Sequence, residues 1–166
     1  MKSSVLAVLL LVGSNGLADA QGTSDSMRGL IGVHVIVQEP SEEAERDGLT
    51  KASIQTDVEV KLRLAGIRVL TLEETLKAPG KPYIYVNVDA LRNASFPFYA
   101  YNIRVELFQE LESVARPGVM ISGITWQNTR VGSVGASNLR QVRDDLKDDM
   151  DQFVNDWRTA NPPVSR

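Results

Sequence analysis

The stretch Tyr83-Ile-Tyr-Val-Asn-Val-Asp-Ala-Leu91 alternates residue by residue between aliphatic and polar-tipped side chains. In an extended chain successive side chains point to opposite faces, so Ile84, Val86 and Val88 share one face and Tyr83, Tyr85 and Asn87 the other. The next apolar run repeats the pattern, with Tyr101, Ile103, Val105 and Leu107 alternating with Asn102, Arg104 and Glu106. Pro117-Gly118 then turns the chain into a third long strand over residues 119–131, which carries Trp126. Three such strands in succession predict an antiparallel meander. Their one-sided alternation requires helices over a single face.

Upstream, residues 30–38 (LIGVHVIVQ) are rich in β-branched side chains and predict a strand buried on both faces. Residues 39–48 read as an acidic loop opened by Pro40. Thr50 then caps a helix whose apolar positions Ile54, Val58, Leu62 and Ala65 fall on one side, with Gly66 as its stop. A short strand over 67–70 follows. Thr71-Leu-Glu-Glu74 has the form of a capping box, and Pro79-Gly80-Lys81-Pro82 breaks the chain. The fold class expected is α+β: a single two-layer domain over 30–162, with a mixed sheet of about five strands, an antiparallel meander, and two main helices packed on one face. Residues 163–166 form a tail. At 166 residues the chain has material for one core.

The second main helix follows a loop over residues 132–137, with Ser137 or Asn138 as its N-cap. At about 100° per residue, Leu139, Val142, Leu146, Met150, Phe153, Val154 and Trp157 gather into an arc of about 120°. Asp144, Asp145, Asp148, Asp149 and Asp151 spread over about 160° of the other side. Metal ligands must converge on one point, and side chains fanning from a convex helix do not. The aspartates are therefore expected on a solvated face, with Arg140, Arg143, Lys147 and Arg158 along one flank. Trp157 and Phe153 are expected to bolt the helix to the sheet.

The N-terminus carries an address. Lys2 precedes an unbroken apolar run over residues 5–12, and Ala18-Asp19-Ala20 has the form of a cleavage site. Residues 1–20 therefore predict a secretory signal peptide, followed by a flexible leader over 21–29. The apolar run is about half of the roughly 20 residues a spanning helix needs, so no stable membrane insertion is expected after cleavage. There is no cysteine, which rules out disulfides, a thiolate nucleophile and a lipidated cysteine. Localisation is expected to be periplasmic or secreted. The formal net charge of −3 offers no large positive field, so nucleic acid is not an expected partner.

Few residues carry candidate chemistry. His34 is the sole histidine and lies in the first strand; no G-x-S-x-G elbow accompanies it. A structural role is the simpler reading. Glu106, Glu110 and Glu112 recur with period two on one strand, so they share a face. The glycines before the last helix lack the lysine of a phosphate loop. Neither a cofactor nor a metal is expected. Phe96, Pro97, Phe98 and Tyr99 sit in or beside the hairpin loop over 92–100 and form the candidate partner-binding patch. Asn93-Ala94-Ser95 in the same loop matches a glycosylation acceptor.

The order Leu62-x-x-Ala65-Gly-Ile-Arg-Val69, Pro82-Tyr-Ile-Tyr-Val-Asn-Val88 and a terminal helix from Asn138-Leu-Arg to Asn161-Pro162 resembles a group of small exported bacterial proteins of unassigned function. More distantly it resembles the N-terminal domain of the Tol-system propeller protein, and lipoproteins that activate penicillin-binding proteins or build the curli secretion pore. The resemblance implies an interaction or assembly module of the cell envelope, with another envelope protein as partner and without catalytic activity. It supplies no functional residues. Two other functions compete with it: an exported hydrolase using His34 or the strand glutamates, and a carrier of a small apolar ligand held between sheet and helices.

Overall fold

The alternating stretch becomes β2 (Tyr83–Arg92) in a computed structural model that describes residues 24–163. The expected signal peptide, residues 21–23 of the leader and residues 164–166 of the tail lie outside the described residues. In chain order the elements are β1 (His34–Val37), α1 (Glu42–Arg46), α2 (Lys51–Leu64), α3 (Leu72–Lys77), β2, β3 (Phe98–Glu112), β4 (Met120–Gly135), a 3-10 turn (Ala136–Asn138) and α4 (Arg140–Ala160). The sheet runs β1-β2-β3-β4, with β1 parallel to β2 and the rest antiparallel.

The mixed sheet and its meander match expectation, but among the described residues there are four strands rather than about five. Residues 67–70 supply only a bridge between Val33 and Val69, closed by the Val33 N–H to the Arg68 carbonyl (2.9 Å) and the Leu70 N–H to the Val33 carbonyl (2.8 Å). The segment is pinned between Gly66, which ends α2 in left-handed backbone (φ +78°), and the Thr71 cap of α3. Four residues between two helix ends leave no room for a ladder. β1 is also shorter than expected and is not buried on both sides. Val33, Val35 and Val37 enter the core, while Ile36 is exposed and His34 half-buried.

The helix signals were sound where they are local. Thr50 caps α2 through the Ser53 N–H (3.2 Å), and the capping box of α3 is formed on both sides between Thr71 and Glu74. The acidic loop holds the unexpected α1, capped by Ser41. β4 continues through the glycines at 132 and 135, where a loop was expected, and neither Ser137 nor Asn138 caps α4. Gly132 has a packing reason: a Cβ there would collide with the Tyr101 ring, which crosses the glycine to reach Asp145 on α4.

The core lies between one sheet face and α2 and α4. Ile84, Val86, Val88, Ile103, Val105, Leu107 and Trp126 face Ile54, Val58 and Leu62 from α2, and Val142, Leu146, Met150 and Phe153 from α4. A bulge between Leu107 and Phe108 places Thr125 as the extra residue of β4, so Trp126 turns inward while Ile124 stays outside. Phe153 is fully buried, edge-on to Trp126 with centroids 5.1 Å apart. Trp157 is only half-buried against Phe153, so of the two expected bolts Phe153 carries the load.

The expected solvated aspartate face needs correction. Asp149 is 3% exposed and receives a forked hydrogen bond from the Arg130 guanidinium on β4, at 2.7 and 3.0 Å. Asp145 accepts from the Tyr101 phenol. Burial, then that bond, push the Tyr101 pKa up to about 12. Asp144 and Asp151 pair with Lys147 (2.9 Å) and Lys61 (2.7 Å), and Arg143 reaches Asp57 on α2 at 2.7 Å. Residues 24–29, expected to be flexible, are folded down as well. Met27 is fully buried, and Asn161 beyond α4 accepts from the Gly29 N–H and donates to the Met27 carbonyl.

Phe153→Ala is expected to cost about 3–5 kcal/mol and Trp157→Ala about 1–2 kcal/mol. Asp149→Ala should cost about 2–3 kcal/mol by stranding a charge-assisted fork, and Asp148→Ala no more than about 0.5 kcal/mol. Urea unfolding of the four variants checks this ordering. Equal midpoints for Asp148→Ala and Asp149→Ala would contradict it.

Candidate functional site

Among the described residues only the short α3 covers part of the sheet face away from α2 and α4, and the side chains there fall into rows set by the strand register. One row reads His34, Tyr83, Phe108, Ile124, and the next Ile36, Tyr85, Glu106, Gln127. Tyr83 stacks on Phe108 at 5.0 Å with rings nearly parallel, and Tyr85 meets Phe108 edge-on. The result is an aromatic floor on an open sheet.

α3 turns part of that floor into a groove of about 350 Å³. Its Leu72 and Leu76, one helical turn apart, stand exposed as one wall facing Ile36, His34 and Tyr83. The Lys81 ammonium closes the far end, paired with Glu110 at 2.7 Å. Lys81 holds φ +40°, left-handed backbone uncommon for a residue with a side chain, within the expected 79–82 break. The volume lies in the range of small-molecule sites.

His34 is the chemical centre of the groove. Its Nδ1 lies 2.9 Å from the Leu70 carbonyl. A carbonyl oxygen only accepts, so the neutral imidazole carries its proton on Nδ1 and has a lone pair on Nε2. On α2, beyond the outer edge of β1, a hydrogen bond from Gln55 holds the Glu59 carboxyl below the usual carboxylate range.

Ser122 and Glu110 also line the groove, which brings a serine, a histidine and a glutamate to one cavity. They do not form a triad. His34 is on β1 and Ser122 on β4, three strand spacings of about 4.8 Å apart. The His34 Nδ1 proton goes to a backbone carbonyl rather than to a carboxylate. The three glutamates do share the open face: Glu110 is held by Lys81, and Glu112 accepts from the Gly118 N–H at 2.7 Å. Among the described residues no group of three or more acidic or histidine side chains is arranged to hold a metal ion.

The candidate aromatic patch divides. Phe96 (65% exposed) and Pro97 stand on the surface, Phe98 is half-buried, and Tyr99 is a core residue whose phenol donates to Asp47 at 2.6 Å. Asn93 folds the loop by accepting from the Ser95 and Phe96 N–H groups. Tyr99 is therefore part of the core, which leaves Phe96, Pro97 and the half-buried Phe98 at the surface.

A larger apolar surface lies at the opposite end of the sheet. β2 begins at Tyr83, opposite Phe108, whereas β3 runs to Glu112, so the β3–β4 hairpin projects beyond β2 as an arm. Leu111, Val114, Val119, Met120 and Ile121 are all exposed on it, Val114 at 98%. Sequence reasoning placed the turn at Pro117-Gly118 but missed the arm. Only the register shows it: β3 beyond Phe108, and the part of β4 paired with it, have no partner in β2.

No family model matches the chain, and no curated protein matches it. Among solved structures it is similar to the PelC dodecamer from Paraburkholderia phytofirmans, at 15% identity over 78% of this chain and 90% of that one, with a TM-score of 0.47. It is similar also to the rare lipoprotein B from Shewanella oneidensis, at 13% identity over 76% and 92% of the two chains, with a TM-score of 0.33. Likenesses this distant say nothing of function.

At neutral pH, long-range nitrogen–proton NMR correlations of His34 are expected to show the Nδ1-protonated tautomer. A proton on Nε2 would mean that the ring is not held by the Leu70 carbonyl.

Proposed function

We propose that the protein is an exported, periplasmic interaction or assembly module of a bacterial cell envelope, without catalytic activity, which grips another envelope protein with the β3–β4 arm. The observation that carries this reading is the arm itself. Five large apolar side chains within eleven residues stand in water beyond the last strand that could cover them. Apolar side chains exposed on both faces of a projecting hairpin are costly in a protein that works alone and ordinary at a protein–protein contact. The charge balance and the signal-like N-terminus agree with an exported protein partner rather than nucleic acid.

A second reading, a carrier of a small apolar ligand, is favoured by the groove beside His34, whose aliphatic walls and single polar centre suit a small apolar molecule with one hydrogen-bonding head. It differs from the earlier expectation in place, since the groove lies on the open face and not between sheet and helices.

A photoreactive side chain at Val114 in cells is expected to yield one discrete envelope-protein adduct, abolished by Ile121→Glu. The same probe at the exposed Arg63 on α2 should yield none. Identical adducts from both positions, or none from Val114, would refute the arm as the working surface. Native mass spectrometry of gently purified protein tests the second reading, through a bound small molecule released by Leu76→Glu.

A further inference from the structure

We infer that the open sheet face carries a cation-binding site at Glu106, which takes the ammonium or guanidinium group of a lysine or arginine side chain from a protein partner. This deepens the interaction reading above, resting on it for the existence of the partner but not for the site. Of the polar side chains buried in the fold, Thr75, Gln109 and Asp149 are all hydrogen-bonded. Glu106 and Asn87 are not. Glu106 is 9% exposed and Asn87 1%, and among the described residues neither side chain has a hydrogen bond or an ion pair. Both belong to the open face. Glu106 on β3 lies directly opposite Tyr85, and Asn87 is two residues beyond Tyr85 on β2, one diagonal step from Glu106. A buried polar group without a partner is uncommon in a folded protein, and two side by side mark a place whose partner comes from outside.

The chemistry of the two groups selects the occupant. A carboxylate only accepts, and the atom of Asn87 left unmet is its carboxamide oxygen, so the occupant must donate. The chain's own nearby donors are committed or turned away. The Tyr85 phenol donates to Gln38, and the half-buried Arg104, opposite Asn87 and two residues from Glu106, pairs with neither. The charge on Glu106 narrows the donor to a cation, and the rings beside it narrow the cation to an organic one. Tyr85, across from Glu106, and Phe108, two residues along its strand, meet edge-on at 6.4 Å. Aromatic faces attract ammonium and guanidinium groups. A calcium ion takes about six to eight oxygens, more than one carboxylate and one carboxamide supply. On an open face a free amine gains little beyond a single ion pair, whereas a side chain carried by a docked protein arrives at high effective concentration. The chain's formal net charge of −3 favours a basic partner. The incoming cation displaces the flexible Arg104 side chain and so reaches the Asn87 oxygen behind it.

Nitrogen–proton NMR of the mature chain, titrated with the peptide acetyl-Gly-Arg-Gly-amide, is the test. Saturable shifts are expected at Tyr85, at Glu106 and at the Asn87 side-chain amide, with none at Arg63 on α2. The same peptide with neutral citrulline in place of arginine should shift none of them, and calcium chloride should not compete. Glu106→Gln is expected to weaken binding at least about fivefold with its thermal midpoint retained, and Arg104→Gln to tighten it. No saturable shift up to the solubility of the peptide overturns the inference, as do equal shifts with citrulline or an unchanged affinity in a folded Glu106→Gln. A photoreactive side chain at the exposed Gln127, opposite Glu106 on β4, should capture a protein in cells, and lose it with Glu106→Gln. Peptide binding without that capture would make the occupant a free amine and overturn the stated one. If the Val114 adduct forms and the peptide does not bind, the interaction reading survives and this site does not. If the peptide binds and Gln127 captures a protein while Val114 yields nothing, the site stands and the arm does not.

Discussion

Everything else in the structure depends on the seating of α4 across β3 and β4. The helix has a polar surface apart from one stripe, and such a helix gains its order from tertiary packing rather than from its own propensity. Phe153 set edge-on against Trp126, with Val142, Leu146 and Met150 fully buried beside it, supplies that packing. Once this face is closed, the opposite face of the sheet has, among the described residues, no element left to cover it except the short α3. The groove at His34, the unmet acceptors at Glu106 and Asn87 and the projecting arm are all consequences of covering one side only.

Polar contacts fix where along the sheet the helix sits. The Arg130 fork to Asp149, Tyr101 to Asp145, and the Trp126 indole N–H to Asp156 (2.8 Å) tie three points along α4 to two strands. Apolar packing tolerates sliding by a turn, but a buried carboxylate does not tolerate losing its guanidinium. The ion pair therefore specifies register more than it adds stability.

What was legible in the sequence was what is decided locally. Alternation over 83–91 and 101–107 gave strand faces correctly because period two depends only on neighbours. The caps at Thr50 and Thr71 and the stop at Gly66 are likewise settled within a turn of chain. The errors were non-local. Asp149 lies only about 20° outside the apolar arc of α4, and its partner sits on a strand 19 residues away. Strand spacing separates the serine, histidine and glutamate of the groove, and no local pattern reports which strands intervene. Tyr99 looked like a loop residue but is anchored by Asp47, the residue that ends a helix hidden within an acidic stretch. The arm was visible only by comparing strand lengths once their register was known.

Native-state hydrogen exchange, resolved by residue, tests the one-sided architecture most directly. Amides of β2, β3 and the α4 stripe around Leu146 to Phe153 are expected to open only with global unfolding, as the most stable unit of the fold. Amides of residues 113–121, together with the outward-facing ones of β4 over 126–135, should exchange through local openings many orders of magnitude faster. Uniform protection of the arm and of both sides of β4 would show that a further layer covers them, and would contradict the open face and the functions drawn from it.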